Sequence, residues 1–134
     1  MASEATELLQ RVPLFAGLDP RELEAIARTV HERTFKEGDA VTSEGEGGVG
    51  FFVIRDGQAK VEVGGTQVGT LGAGDHFGEI ALITEGPRTA TVTATSELKC
   101  YGLTPWEFRP LVQTNANIAW KILQALAKQV DQRH

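Results

Sequence analysis

The 134-residue sequence has one cysteine, Cys100, so no internal disulfide can form and a reducing compartment is expected. There is no CxxC pair, and Cys100 reads as core filler rather than as a redox centre. Histidine is equally scarce. His31, His76 and His134 do not give the HxH pair and distant third ligand of a cupin-type metal centre. Asp75, His76 and Glu79 come nearest to a cluster, but Asp75 and His76 read as turn residues, and no metal is expected. No 18 apolar residues run together, so no membrane-spanning helix is expected. The N-terminal "MASEATELLQRVPLF" has neither a basic start nor a continuous apolar core, so no targeting segment is expected. Positive charge is in deficit, with 13 Lys and Arg against 18 Asp and Glu, a net charge of −5 and a pI of about 5.2. That balance argues against a broad footprint on nucleic acid or on an anionic membrane. The expectation is a cytoplasmic protein in which any bound anion meets a local positive site.

Enzyme signatures are missing too. "GAGDHFG" places Phe77 where a dinucleotide fingerprint needs its third glycine, and no βαβ unit follows. There is no GxxxxGK[ST] loop, and Ser3, Ser43 and Ser96 sit in no nucleophile elbow. No catalysis is expected.

What the chain does have is a three-part pattern within one expected domain, 1–134. Residues 1–31 read as helices. Leu8, Leu9, Val12 and Phe15 recur at helical spacing, and "DPRE" supplies Asp19 as N-cap, Pro20 at the first position and Glu22 to complete a capping box. From 32 to 103 frequent glycines punctuate short β-rich runs. "FFVIRDGQAKVEVGGTQVGTL" reads as three strands, with Asp56-Gly57 and Gly64-Gly65 as two-residue hairpin turns. Ala59, Val61 and Val63 alternate with Gln58, Lys60 and Glu62, which predicts one buried and one wet face. "RTATVTATSELKCYGL" adds one or two strands. Residues 104–134 return to helix, opened by the capping box "TPWEF". The last helix carries a stripe of Ala119, Leu123, Leu126 and Val130, with Ile122 beside it and Trp120 off it. The fold class is α+β, an antiparallel jelly-roll β-sandwich of about eight strands with helices at both ends.

The chemistry concentrates in "FGEIALITEGPRTATV", residues 77–92, an apolar stretch holding Glu79 and, nine positions on, Arg88. If "GEIAL" makes a helical turn, its first N–H groups face an anion, and Gly78 lets that anion come close. Arg88 brings a fork of donors suited to two phosphate oxygens, and Pro87 stiffens the corner before it. A carboxylate does not bind phosphate, so Glu79 implies a hydroxyl on the same ligand. Phosphate beside hydroxyl describes a ribose phosphate. The residues alone leave a second reading open, in which Glu79 and Arg88 merely pair to brace a loop.

In these residues the sequence resembles the cyclic nucleotide-binding domain family. Its phosphate-binding cassette runs F-G-E-[LI]-A-L, a short variable stretch, then P-R-[STA]-A-x-V, with the same Glu-to-Arg spacing in kinase regulatory subunits. "LGAGDHFGE", "EGEGGVGFFVIRDGQAKVEV", "LFAGLDPRELEAIA" and "PWEFRPLVQTNANIA" extend the resemblance over nearly the whole chain. The resemblance implies that Glu79 binds the ribose 2′-hydroxyl and Arg88 the cyclic phosphate. It assigns Gly78, Ile80, Ala81, Thr89 and Ala90 to the phosphate cradle, Val61 and Leu71 to the base slot, and Gln129 or Arg133 to a base lid. Thr89 bears on cyclic AMP against cyclic GMP, and cyclic AMP is the expected ligand. The resemblance implies a non-catalytic sensor that signals through its last helix to a protein effector or fused output domain, without other cofactor. No helix-turn-helix follows in the sequence, so DNA binding is not expected. The alternative is an interaction module of the same fold that has ceased to use a ligand.

Overall fold

The computed structural model describes residues 3–43, 45, 50–84 and 88–132. Pro87 and Arg133, named above, lie outside them. The chain divides into two compact units, one of residues 1–30 with 106–134 and one of residues 31–105.

The first unit is helical. α1 (Glu4–Gln10) is capped by Ser3, whose hydroxyl accepts from the Thr6 N–H at 3.2 Å. Pro13–Phe15 form a single 3-10 turn. α2 (Pro20–Ala27) starts on the expected capping box: the Asp19 carboxylate accepts from the Glu22 N–H and the Glu22 carboxylate from the Asp19 N–H, both at 2.9 Å. This satisfies two N–H groups that the helix itself cannot. α3 (Pro105–Gln113) and α4 (Ala116–Gln132) complete the helices. Leu9, Val12, Phe15, Ile26, Phe108, Ile118 and Ile122 are buried, and the Phe15 and Phe108 rings lie 6.2 Å apart. Lys121 of α4 donates to the Glu22 carboxylate, and that hydrogen bond raises the lysine's pKa. α4 corrects the expected stripe. It buries Ile118 and Ile122, whereas Leu123 and Val130 are each 57% exposed and Trp120 is 63% exposed. Position 118 fell outside the stripe read from 119, and Ile118–Ile122 is the pair at i, i+4 that sets the inward face.

The second unit is the β-sandwich, with β1 (His31–Phe35), β2 (Ala40–Thr42), β3 (Phe51–Asp56), β4 (Ala59–Val63), β5 (Thr66–Leu71), β6 (His76–Phe77), β7 (Thr91–Ala94) and β8 (Leu98–Leu103). They form two four-stranded antiparallel sheets, ordered β1-β8-β3-β6 and β2-β7-β4-β5, the strand order of a jelly roll. Between the sheets Phe52, Ile54, Ala59, Val92, Ala94, Leu98 and Cys100 make the core, and Phe35, Val41, Val61, Leu71 and Phe77 pack at its margin. Alternation on β4 holds at Ala59 and Val61 but lapses at Val63, which is 42% exposed near the tip of the β4–β5 hairpin.

Of the two expected hairpin turns, Gly64-Gly65 joins the paired strands β4 and β5. Asp56-Gly57 does not join a hairpin. β3 and β4 belong to different sheets, so Asp56-Gly57 opens the corner at which the chain changes sheet. Gly57 is required there twice over. Its φ is +100°, and a Cβ would run into the Glu97 carbonyl oxygen.

Candidate functional site

The site forms where β6 ends. Gly78 follows in the left-handed conformation (φ 85°, ψ 13°), and a 3-10 turn, Glu79–Leu82, begins directly after it. The Ala81 N–H donates to the Gly78 carbonyl at 3.0 Å. The N–H groups of Glu79 and Ile80 therefore stand ahead of the first turn bond, at the positive end of the turn. Leu82 is buried and anchors the turn, while Ile80 is exposed and Ala81 half-buried.

Arg88 reaches the same point from the other end of the cassette. Its Nη2 donates to the Gly50 carbonyl oxygen, and its Nη1 lies so close to Gly78 that a Cβ there would overlap it. The same Cβ would stand 2.7 Å from the Gly50 oxygen. Glycine at 78 is thus fixed by backbone conformation and by the guanidinium packed over it. The Arg88 Nε–H is buried and has no hydrogen-bond partner among the described residues. Burial lowers the pKa of this guanidinium, although arginine stays charged in proteins. A buried, charged donor without an acceptor is an exception in folded proteins.

The backbone around Arg88 is held in place. Its carbonyl accepts from the Gly45 N–H at 2.8 Å, and the Thr42 hydroxyl donates to the Ala90 carbonyl at 3.3 Å. Thr89 is exposed and Ala90 half-buried, in the bend before β7. β7 then pairs with β4, setting Val92 opposite Val61. Val61 and Leu71 are half-buried apolar residues at the margin of the sandwich core. Gln129 is half-buried on α4.

Glu79 is half-buried, with Oε2 3.9 Å from Nε2 of His76. Among the described residues Glu79 and Arg88 form no ion pair with one another; the carboxylate's neighbour is His76. Asp75 behaves as a turn residue, its carboxylate accepting from the Gly72 N–H at 2.8 Å, and His76 opens β6. Among the described residues no three His, Cys, Asp or Glu side chains come together to hold a metal. No described helix is long and apolar enough to cross a membrane.

Two features escaped the sequence. The Gly50 carbonyl as acceptor for Arg88 is a backbone group 38 positions away, which carries no side-chain signature. The approach of His76 to Glu79 sits at i, i+3 across a strand end and a left-handed glycine, a geometry that neither strand nor helix spacing predicts.

The chain has counterparts among known proteins. The family model described as cyclic nucleotide-binding domain matches residues 32–115. A cAMP-dependent protein kinase regulatory subunit of Mycosarcoma maydis is 44% identical over 92 residues, covering 66% of this chain and 18% of the relative. A cGMP-dependent protein kinase of Toxoplasma gondii is 33% identical over 101 residues, covering 75% of this chain and 10% of the relative. The chain therefore spans a small part of the length of the curated relatives it matches. Among solved structures, the N-terminal domain of a transcriptional regulator from Streptomyces coelicolor A3(2) superposes with a TM-score of 0.88 at 29% identity, covering 95% of this chain and 94% of that one. With more than half of its length matched by the family model, and with the jelly roll that carries the cassette, the chain belongs to the cyclic nucleotide-binding domain family.

Proposed function

We propose that the chain is a non-catalytic sensor module that binds cyclic AMP in the 78–90 cassette, its two compact units working as one domain. The observation that carries the reading is the Arg88 guanidinium over Gly78, with a buried Nε–H that lacks an acceptor. A cyclic phosphate supplies that acceptor. In this reading the phosphate takes hydrogen bonds from Arg88 and from the backbone at Gly78, Ile80 and Ala81, with Thr89 and Ala90 closing the cradle. Glu79 accepts from the ribose 2′-hydroxyl. Val61 and Leu71 meet the base, and Gln129 or Arg133 covers it when α4 repositions. Each charge-assisted hydrogen bond contributes about 1.5–3 kcal/mol. A few of these with an apolar base contact account for the roughly 8 kcal/mol of a micromolar complex after association costs.

The choice of cyclic AMP rests on the regulatory-subunit relative, and the cGMP-dependent kinase relative makes cyclic GMP the natural competitor. The kinase relatives also make a kinase catalytic region, on a separate chain or fused, the first candidate for the effector. The module is placed in the cytoplasm. Arg88→Ala tests the core of the reading. It is expected to weaken cyclic AMP at least about tenfold, or about 1.4 kcal/mol, in calorimetric titration while circular dichroism stays that of the folded chain. Equal affinity of wild type and variant contradicts the phosphate assignment.

A further inference from the structure

His76 stands beside the cassette with a role still unassigned. It lies opposite Val53 of β3, and its ring packs against Phe51 at a centroid distance of 6.0 Å. Its Nε2 is 3.9 Å from Oε2 of Glu79, with the two side chains 27% and 25% exposed. The charged and titratable groups around it can be named. Glu79 faces it from the 3-10 turn. Asp75 precedes it, with its carboxylate committed to Gly72, and the Arg88 guanidinium lies over Gly78. β3 presents Phe51 and Val53. Beyond Val53 stand Tyr101 of β8, paired with it in register, and Arg55, whose guanidinium is 3.5 Å from Glu32.

At 3.9 Å the contact is too long for a hydrogen bond, so imidazole and carboxylate attract as charges only when the imidazole carries a proton. A cation beside one carboxylate oxygen favours the orientation in which that oxygen faces it. The second oxygen is left to accept a hydroxyl. An imidazole is the side chain that gains or loses such charge between about pH 5 and pH 8.

We propose that His76 is a positioning residue for Glu79, and that the ligand's ribose-hydroxyl contact through Glu79 is stronger when His76 is protonated. This rests on the cyclic-nucleotide reading of the site. The added positive charge also attracts the phosphate, but that effect is shared by ribose and deoxyribose ligands and cancels in their ratio.

The test is calorimetric titration of the full chain with cyclic AMP and with 2′-deoxy cyclic AMP, at about pH 6 and about pH 8. In the wild type the ratio of dissociation constants, deoxy over ribo, is expected to be at least about threefold larger at the acid pH. In His76→Gln, which keeps polarity but cannot gain charge, the ratio is expected to be the same at both. A wild-type ratio that is flat, or that falls at acid pH, overturns the proposal and leaves the cyclic-nucleotide reading standing. A pH-dependent ratio that persists in His76→Gln does the same. If His76→Gln does not fold, the wild-type titrations decide alone. A wild type that binds neither ligand overturns both readings.

Discussion

A buried guanidinium N–H without an acceptor costs on the order of 1–3 kcal/mol, and a bound anion recovers that cost. The Arg88 Nε–H is in this condition, and in the proposed reading the cyclic phosphate is the group that relieves it. Glu79 is the complementary case, a half-buried carboxylate that Arg88 does not neutralise. Glu79→Gln is expected to weaken cyclic AMP several-fold and to change the affinity of 2′-deoxy cyclic AMP much less, because only the former offers a hydroxyl to the carboxylate. Equal losses for both ligands in parallel titrations would make Glu79 a structural residue. Cys100 gives a prediction of a different kind. Burial between the sheets pushes its thiol up to about 12. An unfolded cysteine loses its proton near pH 8.5. Between these values the folded chain holds a proton that the unfolded chain has released, so stability falls as pH rises. The expected slope is on the order of 1 kcal/mol per pH unit above about pH 8.5. Urea titrations at about pH 7 and about pH 10 measure it, and Cys100→Ala is expected to remove this contribution.

At the scale of elements, the cassette begins as a strand end, a left-handed glycine and a single 3-10 turn that follow one another without a spare residue. Gly78→Ala puts a methyl group into the Arg88 guanidinium and forces a side chain into positive φ. Destabilisation of about 1–3 kcal/mol is expected, with loss of at least about tenfold in cyclic AMP affinity. A variant that kept full affinity would show that the ligand does not need this turn. The capping box at Asp19 and Glu22 was legible in four letters, because both its bonds are local and the residue types are specific. The corner at Asp56-Gly57 was not legible. The same dipeptide serves a hairpin and a sheet change, and the difference lies in which strands pair across the fold. α4 misled for a related reason. Its apolar residues cover more than one face, and periodicity alone does not say which face Ile118 and Ile122 share.

At the scale of the whole molecule, the eight-strand jelly roll, the helical segments at both ends and the family are all legible in the sequence. Glycine-marked strands and a contiguous cassette are local signals, and they extend through most of the chain. What could not be read is long-range: the Gly50 carbonyl under Arg88, the sheet order β1-β8-β3-β6, and the set of residues that α4 buries. The site thus joins a legible motif to a backbone acceptor that only the fold supplies. Its purpose in the proposed reading is to hold one cyclic ribose phosphate, and that is the claim most worth testing. The most direct measurement is calorimetric titration of the purified, nucleotide-free chain with cyclic AMP and then cyclic GMP. The account predicts one-to-one binding of cyclic AMP at micromolar affinity or tighter, with cyclic GMP weaker. A folded chain that binds neither nucleotide would contradict it.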